Sequence, residues 1–222
     1  MPERRQALET LQKALTQGRP KILERLAERS LQYYDAPERT LPTLNGVNDS
    51  PRRQRSERRE ACLSVLALLI AYTDLKTLRI GIPTSKGSMA GLSLTWMALR
   101  LGLGQRRVER ALRDLVCSGL VDSRQRSHRK RNGHYQGAAS FRALSPHLFT
   151  LLGLGKWQVH EQKRAQKRQS KRDIASLARE NALRLLAIKA SKRGPYSEST
   201  LAARYFALIR ASLECKSHTS GA

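Results

Sequence analysis

Apolar positions recur along most of this chain at helical spacing. Leu8, Leu11 and Leu15 share a helix face until Gly18 breaks the pattern. Pro20 suits a first helical turn, and Ile22, Leu23 and Leu26 continue on one face. Residues 1–34 are therefore expected to form an N-terminal helical segment. From residue 35 to 57 the periodicity disappears. Pro37, Pro42, Asn45-Gly46, Asn48-Asp49 and Pro51 are turn formers, which predicts a flexible linker. Arg52, Arg53, Arg55, Arg58 and Arg59 close it, as either a solvated tail or an arm that contacts phosphates. Cys62, Leu63, Val65, Leu66, Leu69 and Ile70 predict an amphipathic to largely buried helix over 58–75. Leu78–Pro83 alternates and includes β-branched residues, hence a short strand. The small residues of 85–91 suggest a loop.

Residues 93–153 carry the densest pattern. A short helix opens at Ser93 or Leu94 and runs to Leu99 or so. Leu101-Gly102-Leu103-Gly104 is a tight turn, its glycines allowing positive φ. Gln105–Ser118 forms a second helix, with Val108, Ala111, Leu112 and Leu115 at i, i+3, i+4 and i+7 as one buried stripe. Gly119 stands where a left-handed residue ends a helix. Leu120-Val121 begins a strand, Arg124–Gly133 is a basic turn with Asn132-Gly133 as hairpin signal, and Tyr135–Leu144 contains the returning strand. Ser145-Pro146 is an N-cap followed by proline at N1, opening a helix over His147–Leu154 with Leu148, Leu151 and Leu152 inward.

Residues 156–191 are helical throughout. The first half is basic all round, at Lys163, Arg164, Lys167, Arg168, Lys171 and Arg172. With no face to bury, Lys156–Arg172 is either solvated or laid against a polyanion. The second half is amphipathic, at Ile174, Leu177, Ala178, Leu185 and Leu186. Lys192-Arg193-Gly194-Pro195 stops it. Ser197–Glu214 predicts one more helix, and 215–222 a disordered tail. The expected fold class is mainly α with a small β-wing: a winged helix-turn-helix core at 58–155, flanked by helices and followed by basic and amphipathic helices over 156–214.

Charge narrows the partners. The chain has 42 Lys+Arg against 18 Asp+Glu, a net +24, which attracts and steers polyanions. Nucleic acid is the leading polyanion and an anionic membrane the other. No apolar run reaches the roughly 20 residues of a span, and Cys62–Tyr72, the most apolar stretch, is flanked by charge, so no membrane partner is expected. Met1-Pro2-Glu3-Arg4-Arg5 lacks the apolar region of a secretory signal. Cys62, Cys117 and Cys215 are odd in number and far apart, and no CxxC or HxxxH pair exists. Neither a disulfide framework nor a metal site is expected, no cofactor is implied, and a reduced cytoplasmic compartment fits.

The order helix, turn, helix, basic hairpin predicts binding to double-stranded DNA. A helix fits the major groove and its N-terminal residues reach base edges. With the apolar stripe inward, Gln105, Arg106, Arg107, Glu109, Arg110 and Arg113 face out. Arginine reads guanine bidentately and glutamine reads adenine. Gln105, Arg106, Arg107 and Arg110 are assigned to base edges or nearby phosphates, and Arg113, deeper in the helix, to a phosphate. The wing offers Arg124, Arg126, His128, Arg129, Lys130 and Arg131, and the following helix adds Lys163, Arg164, Lys167 and Arg168. The competing readings are a solvated helix face with Glu109–Arg113 as an i,i+4 pair, and a charged loop. Trp96 is expected to pack between helices, and Asp114 and Asp122 to be salt-bridge partners.

RNA binding would ask for exposed aromatics, which are 5% of the chain in all. A nicking enzyme would need a tyrosine beside a metal held by a His-hydrophobe-His pair. Tyr33 and Tyr34 are adjacent but no such pair exists, nor a P-loop, so no catalytic residue is assigned.

The stretch from Arg58-Arg59-Glu60-Ala61 through Ala71-Tyr72, then Leu92-Ser93-Leu94-Thr95, Arg107-Val108-Glu109-Arg110-Ala111-Leu112-Arg113-Asp114-Leu115, Ser118-Gly119-Leu120-Val121 and Phe141-Arg142-Ala143-Leu144-Ser145-Pro146-His147-Leu148-Phe149 resembles the RepA replication initiators of IncFII-type bacterial plasmids. Those proteins share an apolar helix behind a basic start, an R-A-L-x-x-L-x-x-x-G-L-I recognition helix and a wing ending in F-T-P-x-L-F. The similarity covers residues 58–172, with a counterpart for the basic tract Lys163–Arg172. It implies sequence-specific binding to a plasmid origin, recruitment of host replication proteins to start replication, and a bacterial, nucleoid- or plasmid-associated location. A winged-helix transcription regulator would need the same DNA surface together with an effector pocket or a dimerisation element. The helices over 173–214 could make a homodimer.

Overall fold

The computed structural model describes residues 18–48, 52–84, 89–129 and 134–191, with 126–129, 135–139, 190 and 191 as backbone alone. The helices expected at Leu8–Leu15 and Ser197–Glu214, the tail 215–222, and the wing residues Lys130 and Arg131 lie outside the described residues. The chain is mainly α-helical with small antiparallel sheets.

Helix α1, Lys21–Leu31, buries Ile22, Leu23, Leu26 and Ala27 along one stripe. It packs on α4, Ser56–Ala71, in which every residue from Ala61 to Ala71 is buried. A helix apolar on all sides is one surrounded by the fold. Arg29 of α1 also donates to the Leu152 carbonyl.

The segment between these helices is not the linker its composition suggests. Pro37 and Pro42 each occupy the first turn of a short helix, α2 (Pro37–Thr40) and α3 (Pro42–Asn45), followed by a 3-10 turn at Gly46–Asn48. Tyr33, Leu41 and Leu44 are fully buried. Prolines that resemble breakers start helices, because a first turn has no use for their missing N–H. Buried Gln54 staples the segment, donating to the Leu44 carbonyl at 2.8 Å and accepting from the Tyr33 hydroxyl at 3.2 Å. Two members of the arginine run, Arg53 and Arg59, are likewise tied to the fold. Arg53 donates to the Asp35 carbonyl at 2.7 Å. Arg59 donates to the Gln54 carbonyl at 2.8 Å and stacks over the Tyr34 ring at 5.4 Å.

The strand expected at 78–83 is broken into β1 (Arg79–Ile80) and β2 (Ile82–Pro83), which join different sheets. β2 pairs with β3 (Met89–Ala90), so part of the expected 85–91 loop is strand. Gly81 marks the break: a Cβ there would sit 2.4 Å from the Ala90 carbonyl oxygen, a close approach only glycine permits.

Helix α5, Leu94–Leu101, is capped by Ser93, whose hydroxyl accepts from the Trp96 amide at 3.2 Å. The turn to α6, Gln105–Cys117, uses one left-handed glycine rather than two: Gly102 has φ 63°, whereas Gly104 has φ −62° and precedes α6. Gly119, at φ 70°, ends α6 as expected. The Leu120 amide bonds to the Leu115 carbonyl and the Gly119 amide to the Val116 carbonyl, the paired bonds of a Schellman motif.

The hairpin consists of β4 (Val121–Arg129) and β5 (Tyr135–Leu144), in a three-stranded sheet of order β1-β5-β4. The basic stretch from Arg124 is therefore strand as far as Arg129, not turn. A run of charged side chains hides its own strand from a hydrophobic pattern. Ser145 caps α7, Pro146–Leu151, which stops short of the expected Leu154 and buries Leu148 and Phe149.

Helix α8 spans Gly155–Ser191. The chain divides into two compact units between Gln166 and Lys167, so the start of α8 belongs with the first unit rather than with a separate C-terminal region. That start has a buried face after all. Gln158 is buried, Trp157 and Ala165 pack on the core, and the Gln162 side chain donates to the Lys76 carbonyl at 3.0 Å. In the second unit the described residues 167–189 are helical and mostly exposed. Among the described residues no helix is long and apolar enough to cross a membrane.

Candidate nucleic-acid interface

Helix α6 buries Val108, Ala111, Leu112 and Leu115 and exposes Gln105, Arg106, Arg107, Glu109, Arg110 and Arg113, the division its periodicity predicted. Its orientation is set by a buried polar contact. Asp114, on the inner face, receives two 2.7 Å hydrogen bonds from the Arg58 guanidinium and one at 3.7 Å from the Cys62 thiol. The bond to Asp114 raises Arg58 above the usual arginine range, against the opposing effect of burial. Asp114 is thus a salt-bridge partner, and Arg58, 40% exposed, is tied to it rather than standing in a solvated tail.

The exposed arginines of α6 differ in how they are held. Arg107 leans toward the start of α4, donating to the Glu57 carbonyl at 3.4 Å with the Glu57 carboxylate at 3.9 Å. Arg110 donates to the Arg106 carbonyl at 3.4 Å. Arg113 lies 3.9 Å from Glu109, so the intrahelical pair is present. Gln105, Arg106 and Arg107 fill the first turn, and Arg110 and Arg113 follow at one- and two-turn intervals from Arg106.

The hairpin follows α6 directly after Gly119-Leu120. Arg124 is exposed on β4, and Arg126 and Arg129 occupy the same strand further out. On the first-unit part of α8, Lys163 and Arg164 are exposed, and Arg164 pairs with Glu161 at 2.9 Å. Burial pulls the Glu161 carboxyl upward, but the Arg164 bond and the neighbouring His160 outweigh it and leave the group below its ordinary range. Lys167 and Arg168, in the second unit, are exposed.

Trp96 packs edge-on against Tyr72, with ring centroids 5.1 Å apart and planes at 89°. Tyr33 is fully buried, and burial raises its phenol above the ordinary tyrosine range. No group of three or more His, Cys, Asp or Glu side chains that could hold a metal exists among the described residues.

Sequence reasoning assigned no role to Arg142. It is 5% exposed, beneath α6 on β5, and one guanidinium nitrogen donates to the Leu92 carbonyl at 2.6 Å. Burial lowers its basicity. The signal was available: strand alternation puts Arg142 on the same face as buried Leu144. A cleft of about 640 Å³ opens beside it, between α6, the N-terminus of α5 and this face of the hairpin.

No family model, curated protein or solved structure matches the chain significantly.

Proposed function

We propose that the protein binds double-stranded DNA sequence-specifically as a winged helix, with α6 as recognition helix and the β4–β5 hairpin as wing, and that it acts as a plasmid replication initiator. The observation that carries the DNA reading is the single exposed face of α6, which presents Gln105, Arg106, Arg107, Arg110 and Arg113 opposite the buried stripe Val108, Ala111, Leu112 and Leu115. A 13-residue helix fits the major groove, and the hairpin that follows supplies Arg124, Arg126 and Arg129 for the backbone or minor groove. Lys163, Arg164, Lys167 and Arg168 add phosphate contacts, in keeping with the net charge of +24. The initiator reading rests on the sequence resemblance to RepA proteins. It carries with it a plasmid origin as target, host replication proteins as partners and no catalytic chemistry of the chain's own.

The deciding experiment is selection of bound duplexes from a random pool at ~150 mM salt, where the screening length is ~8 Å. An enriched motif that supports plasmid maintenance when placed at an origin upholds both parts. Binding without a motif, fading as salt rises, would leave only a polyanion binder. A second reading, a winged-helix transcription regulator, is favoured by the cleft beside α6. It predicts a motif that controls a promoter and fails in the maintenance assay.

A further inference from the structure

Four polar side chains share one face of the hairpin. Ser123 stands opposite Arg142 in the β4–β5 register. Gln125 and Ser140 lie two residues further along their strands, on the same face. Between Arg124 and Arg126 the register slips, so that Ala139 and Ser140 together oppose Gln125. Such bulges re-aim side chains and gather beside functional sites. Ser123, Gln125, Ser140 and Arg142 all line the cleft, and Leu112 and Val116 of α6 supply its apolar wall.

Arg142 is the unbalanced member. It is 95% removed from solvent, its Nε has no hydrogen-bond partner, and among the described residues its one acceptor is the Leu92 carbonyl. The cleft's carboxylate, Glu109, reaches Arg113 instead, at 3.9 Å. A buried cation without an anion is costly, and a guanidinium is built to take two oxygens of a carboxylate or phosphate. The cleft's size falls in the range of roughly 300–1,000 Å³ typical of small-molecule sites.

We propose that this cleft is an oxyanion site, in which a phosphate or carboxylate group pairs with Arg142 and accepts further hydrogen bonds from Gln125, Ser123 and Ser140. The group could belong to a free small molecule or to the backbone of a bound duplex. The site itself does not depend on the DNA reading. Occupied by a small molecule, it would sit directly behind the exposed face of α6 and couple that ligand to whatever α6 binds.

The test is NMR of the full chain, without DNA, titrated with inorganic phosphate at constant ionic strength. The expected result is a saturable, millimolar shift of the Arg142 Nε–H signal and of the Ser123, Gln125 and Ser140 amides, absent in Arg142→Met. Gln125→Ala and Ser140→Ala, at the rim of the cleft, keep the test valid if Arg142→Met does not fold. Each should weaken phosphate by about tenfold, as loss of a hydrogen bond to a charged group does. Repeating the titration with duplex present separates the sources. Phosphate binding unchanged by duplex identifies a free ligand, whereas duplex that moves the Arg142 signal and blocks phosphate identifies the backbone diester. Both uphold the site. An Arg142 signal unmoved by phosphate and by duplex, with shifts spread over exposed lysines and arginines, overturns it and leaves the DNA reading intact.

Discussion

Arg58, at the start of α4, grips Asp114, in the last turn of α6, through two 2.7 Å hydrogen bonds, with Asp114 only 4% exposed and Arg58 40%. The residues are 56 positions apart, so this clamp fixes the exposed face of α6 relative to the central helix. Arg58→Ala would strand a buried carboxylate. Removing one partner of a fully buried pair costs ~3–5 kcal/mol; here we expect about 2–3, because Arg58 is partly hydrated. Arg58→Met with Asp114→Leu should recover most of that loss. Urea unfolding of the three variants checks it, and a cost below about 0.5 kcal/mol for Arg58→Ala would show the clamp to be incidental.

The exposed arginines of α6 and the basic residues of α8 should separate in kind. Arg110→Ala and Arg107→Ala are each expected to weaken binding to the selected duplex by about 1–3 kcal/mol and to relax its sequence preference. Lys167→Ala and Arg168→Ala should weaken all duplexes alike and lower the salt slope by about one for each phosphate no longer neutralised. Binding isotherms on cognate and scrambled duplexes at several salt concentrations decide this. If both sets behaved alike, α6 would not be the recognition helix.

What was legible in the sequence was what local spacing determines. The division of α6 into inner and outer faces, the left-handed Gly119 and the Ser145-Pro146 helix start all follow from the residues in one or two turns. What was not legible depended on partners far along the chain. Leu41 and Leu44 sit in helical turns too short to show a period. Arg58 reads as part of a basic tail because its partner is Asp114, far along the chain. Gln158 and Gln162 read as polar positions on an all-basic helix, although one is buried and the other reaches the Lys76 carbonyl.

Alkaline pH should destabilise the fold through two buried acids. Burial, chiefly, pushes both the Cys62 thiol and the Tyr33 phenol above their ordinary ranges. Both stay protonated in the folded chain while the unfolded chain loses its protons above pH ~8.5 for cysteine and ~10 for tyrosine. The folded state then binds more protons, so stability is intact below pH ~8.5 and falls above it, by about 1.4 kcal/mol per pH unit for each group that has titrated in the unfolded chain. Cys62→Ala should delay the onset to about pH 10. Urea midpoints between about pH 8 and 10.5 measure it, and parallel declines in wild type and variant would sink this account.

The second unit carries a stripe that points to self-association. Ile174, Ala178, Asn181, Leu185 and Ile188 are spaced 4-3-4-3, the alternation of a two-stranded coiled coil, with Ile174 67%, Leu185 59% and Ile188 51% exposed. A two-fold interface uses the same patch on both partners, so one stripe is its own complement. Asn181, at the centre of the seam, is the kind of residue that fixes register and favours two strands at some cost in stability. We therefore expect a homodimer whose occupant of this stripe is a second copy of the chain. The net charge of +24 opposes association, so the dimer should tighten as salt rises, opposite to the response of DNA binding. Sedimentation equilibrium should show dimer in the wild type and monomer in Leu185→Asp, with Asn181→Leu tighter but less specific for two chains. A wild-type monomer at every salt concentration, indistinguishable from Leu185→Asp, would remove the second copy as the partner of this face.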